Sequence, residues 1–155
     1  MAKISKIVLL EQPEQRVLSI RTTINMNDLP NVAEQAYDKI IEYLTQIGEL
    51  TGGAPYVCYY NEDLENLDVE IGFPVAKTFQ GTDEIAAHTI PVQKVLAGIH
   101  LGAYVDSDPL FYEMMQWLND NGYLTQGAIY NYYLNDSNRP ENELLTKIVI
   151  PIKGA

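Results

Sequence analysis

The chain has 155 residues, 46% of them hydrophobic and 20% charged, which is the make-up of one folded domain and excludes a disordered chain. Its net charge of −11, with ten scattered Lys and Arg, argues against direct nucleic-acid binding and leaves a cationic ligand or a basic protein partner as the electrostatically favoured company. No apolar run is long enough to cross a bilayer, and the single cysteine, Cys58, excludes an internal disulfide and suits a reducing cytoplasm.

The N-terminal apolar stretch, Ile4 and then Ile7 to Leu10, is broken by Ser5 and has no small-residue cleavage site, so it does not read as a signal peptide. Residues 17–24 are rich in β-branched side chains and read as a strand. A helix is expected from Asp28, an N-cap residue, with Pro30 in the first turn. Val32, Ala33, Ala36, Tyr37, Ile40, Leu44 and Ile47 recur every three or four residues along it, and Gly48 can end it in the left-handed conformation. Strands at 56–60 and 67–75 follow, around the turn-like Asn61, Glu62 and Asp63. The polar stretch 77–89 reads as a linker.

The plan then recurs. Residues 95–101 form a strand, and Ser107 or Asp108 caps a helix that has Pro109 in its first turn. Phe111, Met114, Met115 and Leu118 make its stripe, and Gly122 its end. Strands are expected at 128–134 and 144–152, around a loop at 135–142 that contains Asp136, Asn138 and Pro140.

This recurrence is written in the residues. PEQRVLSIR from Pro13 resembles PVQKVLAGIH from Pro91; GELTGGAPYVCYYNED from Gly48 resembles GYLTQGAIYNYYLNDS from Gly122; VEIGFPV from Val69 resembles TKIVIPI from Thr146. The separations are 78, 74 and 77 residues, in one order, so the chain is a duplication and not a solenoid. The expected fold is a single α+β domain over 1–155. It has two βαββ halves, about 5–76 and 90–153, related by a pseudo-two-fold axis, with antiparallel sheets and a helix on one face of each. If the halves join side by side, the faces without helices form a central cleft.

No phosphate-binding loop, zinc pattern or cofactor motif is present, so neither metal nor cofactor is expected, and no residue is singled out as catalytic. His88 in the linker and His100 near a strand end each read as structural or solvated. Cys58 reads as a buried, inert thiol. The eleven tyrosines stand out: Tyr56, Tyr59, Tyr60, Tyr123, Tyr130, Tyr132 and Tyr133 fall in or beside two equivalent strands. Alternation puts Asn131 and Tyr133 on one face and Tyr130 and Tyr132 on the other, and the repeat matches Val57 and Tyr59 to Asn131 and Tyr133. One set should meet the helices and the other the cleft. Trp117 suits core packing first and a cleft wall second. Glu70 points away from Val69 and Ile71, into solvent or toward the cleft, where a buried acid would attract a cation.

HLGAY (100–104), the helix with Trp117, YLND (133–136), ELLTKIVIPI (143–152) and DVEIGFPV (68–75) together resemble the GyrI-like family. That family includes the effector-binding domains of multidrug-responsive bacterial transcription activators and the gyrase-inhibitory proteins. The resemblance implies two βαββ-type halves with an aromatic-lined cleft for lipophilic, often cationic, compounds. Many members carry a glutamate just before the YLND-like segment, which pairs with cationic drugs or, in a hydrolytic branch, helps open strained compounds. Here that position is Asn131, which can do neither as a carboxylate would. The expected function is therefore binding of a small lipophilic or aromatic molecule by a stand-alone sensor or sequestering protein. Tyr59, Glu70, Tyr104, Trp117, Asn131 and Tyr133 are the candidate ligand residues. Modulation of a protein partner such as gyrase or a regulator, and hydrolysis of reactive xenobiotics, are the alternatives.

Overall fold

In a computed structural model of the protein, the described residues are 6–135 and 138–153; Ile4, Ser5, Asp136 and Ser137, all used in the sequence reading, lie outside them. Strands β1 (Val8–Gln12) and β2 (Gln15–Ile24) precede helix α1 (Leu29–Gln46), followed by β3 (Tyr56–Tyr59), β4 (Leu67–Pro74), β5 (Ala86–Ile90) and β6 (Gln93–Leu101). Helix α2 (Asp108–Asp120) comes next, and β7 (Leu124–Thr125), β8 (Ile129–Tyr133) and β9 (Leu145–Lys153) complete the chain.

The chain divides into two compact units. One is Pro13–Val92; the other joins the described residues up to Gln12 with those from Gln93 onward. In the first, the strands run β3-β4-β2-β5, each pair antiparallel. In the second they run β1-β6-β9-β8, again antiparallel, with β7 beside β9. The first unit thus has the βαββ plan plus β5, the second has the same plan plus β1 and the short β7, and the fold is α+β. The added strands correct the expected boundaries. The stretch 77–89, expected as a linker, carries most of β5, and β1 lies outside all the expected strands. Both escape pattern reading for a physical reason: in β5 only Ile90 is buried, and in β1 nothing is fully buried.

Leu18, Ile40, Leu44, Phe73, Val75 and Ile85 form the core between α1 and its sheet, and Tyr37 stands edge-on to Phe73 at 5.1 Å. Leu96, Leu110, Met114, Leu118, Ile148, Ile150 and Ile152 do the same under α2. The helix stripes are therefore as periodicity predicts, except that Ile47 falls past the end of α1 and is exposed. Gly48 and Gly122 have φ of 74° and 75° and end the two helices in the left-handed conformation that glycine tolerates. Asp28 and Ser107 stand at the N-caps, but neither side chain caps its helix. A short 3-10 turn precedes each helix and gives both residues right-handed rather than extended backbone. Cys58 is a buried free cysteine. No helix among the described residues is long and apolar enough to cross a membrane.

Candidate functional site

The two faces of each sheet carry different chemistry. In the Pro13–Val92 unit, Phe73 and Val75 pack under α1, so alternation sends Asp68, Glu70 and Gly72 to the other face of β4. Register places Cys58 opposite Glu70 and Tyr56 opposite Gly72 on β3, and Arg21 and Ser19 opposite the same two residues on β2. His88, on β5, pairs with Val17 and shares this face.

On this face Glu70 is the centre of a hydrogen-bonded cluster. Its side chain is 4% exposed and accepts from three side chains. Tyr56 Oη donates to Oε2 at 2.6 Å and Tyr60 Oη to Oε1 at 2.5 Å. His88 Nε2 lies 2.8 Å from Oε2. The floor beneath is made of small residues. A Cβ on Gly72 would stand 2.5 Å from the Leu18 carbonyl oxygen, 2.9 Å from Ser19 Cβ and 3.0 Å from Tyr56 Oη. A side chain here would collide with the Leu18 backbone and crowd the Tyr56 hydroxyl.

A second layer positions Tyr60. The Arg21 guanidinium sits 3.9 Å from the centre of the Tyr60 ring and holds Asp68 through Nε at 3.0 Å and Nη2 at 2.8 Å. The Arg21 hydrogen bonds hold the Asp68 carboxyl below its ordinary value, and the same contact raises Arg21.

Burial by itself pushes the Glu70 carboxyl upward. Hydrogen bonds from His88, Tyr56 and Tyr60, with the His88 charge, outweigh it and hold the group at about 2. The Glu70 hydrogen bond in turn raises the His88 imidazole above its ordinary value, against burial that lowers it. The result is a buried carboxylate that stays ionised at neutral pH, walled by phenols, with an imidazole hydrogen-bonded to it. Among the described residues, no group of three or more His, Cys, Asp or Glu side chains is placed to hold a metal ion.

Of the residues picked from sequence, Glu70 is the one in this cluster. Tyr59, next along β3, pairs with Val69 and lies on the helix-bearing face. In the other unit, Ile129 packs against the α2 core and Asn131 pairs with Ile148, so Asn131 and Tyr133 are on the helix-bearing face too. Tyr59, Asn131 and Tyr133, named from sequence as ligand candidates, thus do not stand on the faces without helices. The set there is Tyr56, Tyr60, Tyr130 and Tyr132. The repeat alignment was sound, but it could not say which member of an alternating pair meets the helix.

The structure does bring Tyr104 and Tyr133 together, with ring centres 4.8 Å apart. Trp117 packs against the α2 core, stacks on Tyr123 at 5.9 Å and borders a shallow surface depression with Lys6, Ile7, Glu113, Gln116 and Asp120. Sequence reading missed Tyr56, Tyr60, Arg21, Gly72 and His88. Alternation outward from Glu70 reaches Gly72; His88 required knowledge of β5.

The cluster is not duplicated. By the repeat, Lys147 stands where Glu70 does, Val149 where Gly72 does, and Tyr132 where Cys58 does. A bulkier residue at the floor and a base in place of the acid remove both requirements at once.

Comparison with known proteins agrees with this architecture. No curated protein matches the chain. Among solved structures, the crystal structure of the EcmrR C-terminal domain superposes with a TM-score of 0.75 at 24% identity, covering 98% of this chain and 99% of that one. The EcmrR–DNA complex, solved by cryo-EM, superposes with a TM-score of 0.78 at 23% identity, and there the chain spans only 58% of the longer EcmrR chain. SAV2435 bound to tetraphenylphosphonium superposes with a TM-score of 0.69 at 11% identity, covering 97% and 95% of the two chains. At these identities the likeness is one of fold. The family model for the GyrI-like small molecule binding domain matches residues 5–153, nearly the whole chain, and the protein therefore belongs to the GyrI-like family of small-molecule-binding domains.

Proposed function

We propose that this protein binds a small lipophilic or aromatic molecule that carries a positive charge, acting as a sensor or sequestering protein, with Glu70 as the polar anchor. The observation that carries the reading is the Glu70 carboxylate, buried yet ionised and held by Tyr56, Tyr60 and His88. A fixed carboxylate among aromatic rings is the complement of an apolar cation. Asn131 on its own would favour a neutral polar ligand; Glu70 supplies the charge from a different strand and a different half of the repeat. Binding is preferred to hydrolysis because a carboxyl held at about 2 is a weak general base at neutral pH.

Isothermal titration with tetraphenylphosphonium and with neutral aromatic compounds of similar size tests the reading. Saturable binding of the cation, lost in Glu70→Gln, is the expected result. Equal binding of neutral and cationic compounds, unchanged in Glu70→Gln, would reject Glu70 as the anchor.

A further inference from the structure

His88 touches Glu70 from an unusual direction. Its strand, β5, pairs only with β2 among the described residues and ends the strand order of its unit. From there the imidazole crosses the small residues Ser19 and Gly72 to reach Glu70 Oε2, where the buried Tyr56 hydroxyl also arrives. The His88 side chain is 41% exposed and Glu70 4%, which makes His88 the most exposed of the three groups hydrogen-bonded to the carboxylate. The two phenols are neutral donors. The imidazole is the one partner able to bring a positive charge.

We propose that His88 is an internal counter-ion that occupies the cation position on Glu70 and yields it to a cationic ligand when the imidazole is neutral. The proposal rests on the reading of Glu70 as a ligand anchor and adds its regulation. With a protonated imidazole, an arriving cation would make two positive charges share one carboxylate. With a neutral imidazole, displacement costs a single hydrogen bond at a half-exposed side chain. The other charged or titratable groups on this face are Arg21 on β2, Asp68 on β4, Tyr56 and the buried thiol Cys58 on β3, and Tyr60 just after it. Arg21 and Asp68 neutralise each other, and Asp68 is held below its ordinary value, so neither changes charge near neutral pH. Cation affinity should therefore follow the protonation of His88.

The test is titration of tetraphenylphosphonium, whose charge does not vary with pH, into the protein, His88→Ala and Glu70→Gln at about pH 5.5, 7 and 8.5. In the unaltered protein the affinity is expected to rise about tenfold or more across this range. In His88→Ala it should be flat and close to the tight limit, and in Glu70→Gln weak throughout. NMR titration of the imidazole supplies a ligand-free reading: His88 should titrate above its ordinary value, and return toward it in Glu70→Gln. A flat profile in the unaltered protein, or the same slope in His88→Ala, overturns the gate and leaves the anchor standing. Absence of cation binding in all three proteins at every pH overturns both.

Discussion

The Tyr56 hydroxyl reaches Glu70 Oε2 at 2.6 Å beside Gly72, where a Cβ would stand 3.0 Å from that hydroxyl. Any Cβ at residue 72 meets the Leu18 carbonyl oxygen, which belongs to the backbone and cannot rotate away. Gly72→Ala should destabilise the protein by about 1–3 kcal/mol through overpacking. It should also push Tyr56 off the carboxylate. Urea unfolding would show the first effect, and a rise in the Glu70 titration point the second. A variant as stable as the parent would mean that the strands part more easily here than their register implies.

The pH dependence of stability has a defined sign. Glu70 is held at about 2 when folded, against 4.5 ordinarily, so its contribution is complete above 4.5 and is lost as pH falls through 2. The full displacement corresponds to about 3 kcal/mol at most. His88 is raised, so its side of the same pair is complete below 6.5 and is lost as pH rises through the folded value. The two descriptions concern one interaction and are counted once. Unfolding free energies of the protein and of Glu70→Gln, measured from about pH 7 down to about pH 2, should converge as the acid limb is descended. Parallel curves would show that Glu70 is not the group responsible.

Tyr37 links α1 to the site. Its hydroxyl donates to the Tyr56 carbonyl oxygen at 2.9 Å while its ring meets Phe73. Tyr37→Phe keeps the ring and removes that hydrogen bond, so a loss of about 0.5–1.5 kcal/mol is expected. Cation affinity should change little, because β3 remains paired with β4. A loss of binding without a loss of stability would place Tyr37 in the site itself.

His100 and Thr146 face each other across β6 and β9, both buried; His100 Nδ1 and Thr146 Oγ1 have no hydrogen-bond partner among the described residues. Thr146→Val replaces a buried hydroxyl by a methyl group of the same shape. Its expected effect is neutral to about 1 kcal/mol stabilising, read from the thermal midpoint. Destabilisation beyond that would show that the hydroxyl is satisfied in solution.

Much of the fold was legible because duplication and periodicity reinforce each other. The stripe through Ala36, Ile40 and Leu44, and the glycines at 48 and 122, are local signals with local causes. The site was less legible. Glu70 was visible as a polar residue alternating with Val69 and Ile71, but its partners come from β2, β3 and β5, and pairing register is a long-range property. His88 was hidden because Ala86 to Thr89 are exposed and carry no hydrophobic pattern. Tyr59 and Tyr60 are adjacent and chemically alike; only the position of α1 decides which of them meets the carboxylate.

The strand pairings also set a timetable for synthesis. The unit Pro13–Val92 is contiguous, so every strand it needs has been made once Val92 emerges from the ribosome. β1 is made before this unit, yet its partner is β6, Gln93–Leu101, which follows the unit. β1 must therefore wait for its partner until the whole unit between them has been made, and the unit that starts earlier in the chain is completed after the one nested inside it.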